Sequence, residues 1–149
     1  MEDQQDRNIA RWISGEGKKA KPSVLLVEDE EMVAQLVTLM LTLEGFSVLH
    51  AESEPEALDL ALGYRGAIDL LLADVRLKEG SGPGAARRLR LRFPEMKIAY
   101  MSGYPREELV SKGLIDEDAP FLPKPFDLAA FRSLIRMHFP VEAGWTPAH

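Results

Sequence analysis

Three carboxylates, a hydroxyl and an ammonium stand just after separate apolar runs of this chain. Glu28 and Asp29 follow Ser23-Val24-Leu25-Leu26-Val27, and Asp74 follows Leu70-Leu71-Leu72-Ala73. Ser102 follows a run ending at Met101, and Lys124, between Pro123 and Pro125, follows Phe121-Leu122. Each has an ordinary explanation when taken alone. Acids favour helix starts, an aspartate ending a strand is usually a turn residue, and a serine or lysine in a turn is usually solvated. Glu28 fits such an explanation poorly, because a carboxylate at the end of a buried strand is costly unless paired. If the first and third runs are neighbouring strands, Asp74 faces Glu28 and Asp29. Each like-charge pair about 4 Å apart then costs about 4 kcal/mol at an effective dielectric near 20. Helix-dipole gains of about 0.3–1 kcal/mol do not offset that. Something cationic must share the pocket, and an all-oxygen donor set with water access suits Mg²⁺. A nucleophilic carboxylate, a divalent ion, a hydroxyl and an ammonium together grip and neutralise a transferring phosphoryl group.

Such convergence requires a parallel sheet, and the hydropathy pattern predicts one. Short, continuous apolar strands are expected over 23–27, 46–50, 69–73, 97–101 and 120–122, as in strands covered on both faces. Between them lie helical patterns. Residues 31–44 carry a stripe of Val33, Leu36, Val37, Met40 and Leu43, closed by Gly45. Ser53, Pro55 and Glu56 form a capping box opening a helix through residue 62. A third helix runs from Gly82 or Pro83 to residue 93, with Ala86, Leu89 and Phe93 inward. A short, weak one covers 106–112, and Asp127 caps a last one reaching residue 138. Alternating strands and helices imply right-handed crossovers and helices on both faces of the sheet. Ligand sites in such folds lie beyond the carboxyl ends of the strands, where these five residues stand.

Four stretches carry a resemblance: Val24-Leu25-Leu26-Val27-Glu28-Asp29-Glu30-Glu31, Leu72-Ala73-Asp74-Val75, Met101-Ser102-Gly103-Tyr104 and Phe121-Leu122-Pro123-Lys124-Pro125-Phe126. In this order they resemble the signatures of the response-regulator receiver (CheY-like) domains of two-component signal transduction, over about residues 23–139. The resemblance implies a flavodoxin-like (βα)5 fold with strand order 2-1-3-4-5. It implies Asp74 as phosphoacceptor, serving a histidine kinase or histidine phosphotransfer protein. It also implies Mg²⁺ on Asp29, Asp74, the backbone carbonyl of Arg76 and, through water, Glu28. Ser102 and Lys124 would bind phosphoryl oxygens, Ser102 and Phe121 would form the switch, and the bond before Pro125 would be cis. Three departures stand out. Glu28 replaces a commoner aspartate, Lys78 replaces a usual proline, and Arg76 puts a cation near the acceptor with no sign assigned to its effect on hydrolysis. Phe121 has no hydroxyl, so its switching would act through burial alone.

Composition bounds the rest. The chain has 149 residues, 46% hydrophobic and 28% charged, with a net charge of −6 and no cysteine. That excludes disulfides, thiolate metal sites and thiol nucleophiles, and disfavours wrapping nucleic acid by charge. No apolar run is long enough to span a membrane, and the acidic start is unlike a secretory signal. We therefore expect a cytoplasmic regulatory domain with no membrane and no direct nucleic-acid partner, catalysing only its own phosphotransfer and dephosphorylation. Residues 1–22 read as an extension. Ile9, Trp12 and Ile13 are spaced for a short amphipathic helix, followed by a lysine-rich linker; 140–149 read as a tail. The natural-looking Met1 favours a stand-alone receiver over the terminal receiver of a hybrid sensor kinase. A downstream protein target is expected on the face of the last two helices and last strand, from Arg106 to Phe139, and a homodimer could form on phosphorylation. A phosphate-independent docking module remains an alternative. An aspartyl phosphatase would need an acid where Arg76 stands. The arginines at 87, 88, 90 and 92 read as a solvated face, with partner docking the lesser alternative, and the three histidines form no ligand pair.

Overall fold

The structure is a computed structural model in which residues 21–138 are described. The expected amino-terminal helix, the linker before residue 21, Phe139 and the tail lie outside the described residues. Five strands, β1 (Ser23–Val27), β2 (Ser47–Ala51), β3 (Leu70–Asp74), β4 (Lys97–Ser102) and β5 (Phe121–Pro123), alternate with five helices. These are α1 (Glu31–Leu43), α2 (Glu54–Gly63), α3 (Gly82–Arg92), α4 (Arg106–Ser111) and α5 (Leu128–His138). All strands are parallel, in the order β2-β1-β3-β4-β5, as the resemblance implied.

Side-chain alternation along each strand feeds two cores, one on each face of the sheet. Val24 and Leu26 of β1 and Leu70 and Leu72 of β3 pack with α1 and α5, where Phe46 meets Phe131 edge-on at 5.9 Å between centroids. Leu25 and Val27, with Leu71 and Ala73, pack under α2, α3 and α4. Caps follow the local chemistry. Ser53 Oγ accepts from the Glu56 N–H at 3.2 Å, whereas the Glu56 carboxylate reaches past Ser53 to the Glu52 N–H at 3.0 Å. Ser81 caps α3 through the Gly84 N–H, and Asp127 caps α5 through the Ala130 N–H.

Two expectations change. The buried stripe of α1 is Ala34, Val37 and Leu41, with Val33 and Met40 beside it, while Leu36 and Leu43 face solvent. Nine of the thirteen residues of α1 are apolar, so periodicity alone left its phase ambiguous, and the small Ala34 marks the side against the sheet. Strand ends also move: β2, β3 and β5 start one residue later than expected, and β3 and β4 extend to Asp74 and Ser102. These two residues therefore hold ladder positions, Asp74 opposite Met101 and Ser102 opposite Pro123, rather than starting the loops.

Candidate functional site

The parallel register brings the ends of β1 and β3 side by side, with Val27 opposite Ala73, so the acids following them meet. Glu28, Asp29 and Asp74 each offer a carboxylate oxygen within 4.8 Å of the others. Glu28 is fully buried and Asp74 nearly so. The expected repulsion is met in part from within the chain. From the turn after β5, the Lys124 ammonium donates to Glu28 Oε1 at 2.5 Å and to Asp74 Oδ2 at 2.7 Å. Lys124 thus sits between two of the acids, where sequence reasoning had given it only a phosphoryl group to hold. The Lys124–Pro125 peptide bond is cis, and the Lys124 N–H donates to the Ser102 carbonyl at 2.8 Å, tying the end of β5 to β4.

Backbone donors hold the other acids. The Lys78 N–H donates to Asp29 Oδ2 at 2.6 Å, and the Glu30 N–H to Glu28 Oε2 at 3.2 Å. Burial is the main cause that pushes the Asp74 carboxyl up to about 6; the Lys124 hydrogen bond opposes it and the Glu28 charge adds to it. Burial alone would lower the Lys124 ammonium, but hydrogen bonds to Asp74 and Glu28 outweigh it and hold the group above its ordinary value. Three carboxylates against one ammonium leave a formal charge of −2 on an all-oxygen donor set. That donor set fits a small, hard dication such as Mg²⁺.

The side chains of the remaining predicted residues make contacts outside the acid cluster. Ser102 is buried, and its Oγ accepts from the Tyr104 N–H at 3.0 Å. Arg76 is exposed and pairs with Ser81 in an isolated bridge, and its guanidinium carbon lies 4.8 Å from the centre of the Tyr104 ring. Phe121 is half-buried beneath the Arg106 guanidinium at 5.3 Å. Arg106 also donates to the carbonyls of Glu117 and Ala119 at 2.9 and 2.7 Å. Three of the four arginines around α3 have partners in the chain: Arg88 reaches Glu54, Arg90 the Met96 carbonyl, and Arg92 the Phe93 ring.

Two contributors escaped the sequence. His50 on β2 hydrogen-bonds the Glu28 carbonyl through Nε2 at 2.8 Å, a contact that only the β1–β2 register reveals. A Cβ on Gly82 would lie 2.4 Å from the Asp74 carbonyl oxygen, so this glycine lets α3 start directly against the end of β3. Gly82→Ala should therefore lower stability by about 1–3 kcal/mol, as overpacking does. Urea denaturation measures the loss, and an unchanged midpoint would mean that the backbone yields freely there.

The sequence model of the response regulator receiver domain matches residues 24–136. The chain belongs to this receiver family. A sensor kinase, CckA of Brucella abortus (strain 2308), is 34% identical over 114 residues, 76% of this chain and 12% of that protein. The cell cycle response regulator CtrA of Brucella ovis is 35% identical over 103 residues, 69% of this chain and 44% of that one. The crystal structure of the receiver domain from the hybrid histidine kinase CckA superposes with a TM-score of 0.64 at 30% identity, covering 77% of this chain and 96% of that one. This receiver thus spans under half the length of the curated relatives it matches. It is a regulatory domain of two-component signalling, and among its described residues no helix is long and apolar enough to cross a membrane.

Proposed function

We propose that this receiver, over residues 23–139, is a phosphorylation-controlled switch whose phosphoacceptor is Asp74. The observation carrying this reading is the buried carboxylate cluster bridged by the Lys124 ammonium at the ends of β1 and β3. An Asp74 oxygen attacks the phosphorus of a phosphohistidine on a histidine kinase or phosphotransfer protein. The new O–P bond forms as the N–P bond breaks, and its electron pair stays on the imidazole nitrogen, which takes up a proton. Lys124, already 2.7 Å from Asp74, neutralises a phosphoryl oxygen, and Ser102 turns its hydroxyl from the Tyr104 N–H to donate to another. Mg²⁺ held by Asp29, Asp74, the Arg76 carbonyl and, through water, Glu28 would supply further charge neutralisation. As Ser102 moves, Phe121 turns inward, and the face of α4, β5 and α5 changes shape for a downstream protein target; a homodimer on phosphorylation would use the same rearrangement. We assign the domain to the cytoplasm, with no membrane or direct nucleic-acid partner and no catalysis beyond its own phosphotransfer and dephosphorylation. Likeness to the receiver of a sensor kinase favours, as second reading, service as the receiver of a hybrid kinase.

Acetyl phosphate with Mg²⁺ should add one phosphoryl group that hydroxylamine removes, as expected of an acyl phosphate. A hydroxylamine-stable label, or one formed equally well in excess chelator, would overturn the reading.

Cation binding should follow the protonation of Asp74. A folded-state value raised to about 6 means that the carboxyl binds its proton below that pH. The proton competes with Mg²⁺, so affinity should be nearly flat above pH 6 and fall by about tenfold per pH unit below it. The same raised value makes ionised Asp74 a cost of folding that grows from about pH 4 to 6, since an unfolded aspartate ionises near 3.9. Calorimetric Mg²⁺ titrations from pH 5 to 8 check the first trend; affinity constant across that range would contradict it.

The Arg76 guanidinium lies over the Tyr104 ring, and we propose that this pair shields the phosphoryl group from water. Arg76→Ala should shorten the lifetime of the phosphorylated state several-fold. Loss of label after donor removal measures it, and an unchanged or longer lifetime would deny that role.

A further inference from the structure

The outer side of α1 carries an apolar stripe along its length, flanked by exposed Glu31, Gln35 and Thr42. Met32, Leu36, Leu39 and Leu43 are 84, 57, 55 and 57% exposed, and their spacing of four, three and four residues aligns them in one stripe. This is the seam spacing with which one helix receives another, and a continuous exposed apolar strip of this kind marks an interaction surface. It is separate from the acid cluster, whose side chains lie at the strand ends.

We infer that the chain's own amino-terminal segment, residues 1–20, covers this stripe, seating Ile9, Trp12 and Ile13 against Leu36, Leu39 and Leu43. Three observations favour this occupant. The chain enters the sheet beside the carboxyl end of α1: Ser23 pairs with Ser47, the Pro22 carbonyl accepts from the Ser47 N–H, and Phe46 is hydrogen-bonded back to Leu41. Pro22, the residue through which the segment joins the sheet, therefore lies at the Leu43 end of α1. The nine residues 14–22 between Ile13 and β1 span up to about 30 Å when extended. That exceeds the length of α1, about 20 Å for thirteen residues. The segment's apolar residues also fall at i, i+3 and i+4, the helical complement of the stripe. A receiver built this way keeps its α1 face closed, and any helix docking beside Asp29 must first displace the segment. The inference does not depend on the phosphoacceptor reading.

Tryptophan fluorescence tests it directly, because the only two tryptophans, Trp12 and Trp145, both lie outside the described residues. In the 149-residue Trp145→Phe protein, Trp12 should emit to the blue of its urea-unfolded position and resist acrylamide quenching. Leu36→Glu/Leu39→Glu, at positions already exposed, should shift that emission to the red and raise quenching several-fold without changing far-ultraviolet circular dichroism. Ile9→Ser/Ile13→Ser should do the same from the other side of the contact. Three results would overturn the inference: Trp12 as accessible in the native as in the unfolded protein, protection that grows with protein concentration (a second copy covering the stripe), or a response to the leucine changes only from Trp145 in Trp12→Phe protein.

Discussion

Lys124→Ala should slow phosphorylation by acetyl phosphate about 100-fold or more at saturating Mg²⁺, the scale seen when one preorganised donor to a developing anion is removed. In the proposed switch this lysine has two tasks. In the unphosphorylated domain it neutralises Glu28, which is fully buried, and Asp74. During the proposed transfer it would be the fixed cation nearest the incoming phosphoryl group. Removing one partner of a buried ion pair costs about 3–5 kcal/mol when the other remains charged. Protonation of Asp74, whose carboxyl burial already pushes up, would relieve part of that. Thermal melts with and without Mg²⁺ separate the two tasks. The variant should be folded with a lowered Tm, stabilised by the cation but still slow in transfer. A folded Lys124→Ala protein phosphorylated at the wild-type rate would remove the lysine from the chemistry.

Asp74→Asn should abolish labelling while leaving the fold in place, and should weaken Mg²⁺ binding at least tenfold. The amide keeps the shape of the side chain and an oxygen for Lys124 but has neither the nucleophile nor the charge. Since burial and the Glu28 charge both work against ionised Asp74, replacing it should not lower Tm at neutral pH and should flatten the stability change between about pH 4 and 6. Calorimetry, thermal melts and donor labelling on the same preparation give all three readouts. Retained label would move the acceptor elsewhere, and a collapsed fold would make the carboxylate a structural element.

The sheet and its site were legible for the same reason. Buried parallel strands read as unbroken apolar runs, so a polar residue ending one, as Asp74 or Ser102 does, is conspicuous, and strand order 2-1-3-4-5 then brings those ends together. What stayed hidden depended on side-chain direction or register. The phase of α1 was ambiguous because its apolar residues nearly encircle it. That the Lys124 ammonium, expected to hold a phosphoryl group, also reaches Glu28 and Asp74 across 96 and 50 residues is not written in the sequence. The contact of His50 with the Glu28 carbonyl, the fit of Gly82 against Asp74 and the stacking of Arg106 on Phe121 likewise arise only once neighbouring elements are packed.

Site mapping of the phosphoryl group distinguishes Asp74 from every other carboxylate of the chain. Protein treated with acetyl phosphate and Mg²⁺, reduced with borohydride and digested should yield homoserine in place of aspartate at position 74 and nowhere else. A reduced residue at Asp29 or another carboxylate, with Asp74 recovered unchanged from labelled protein, would place the phosphoacceptor elsewhere.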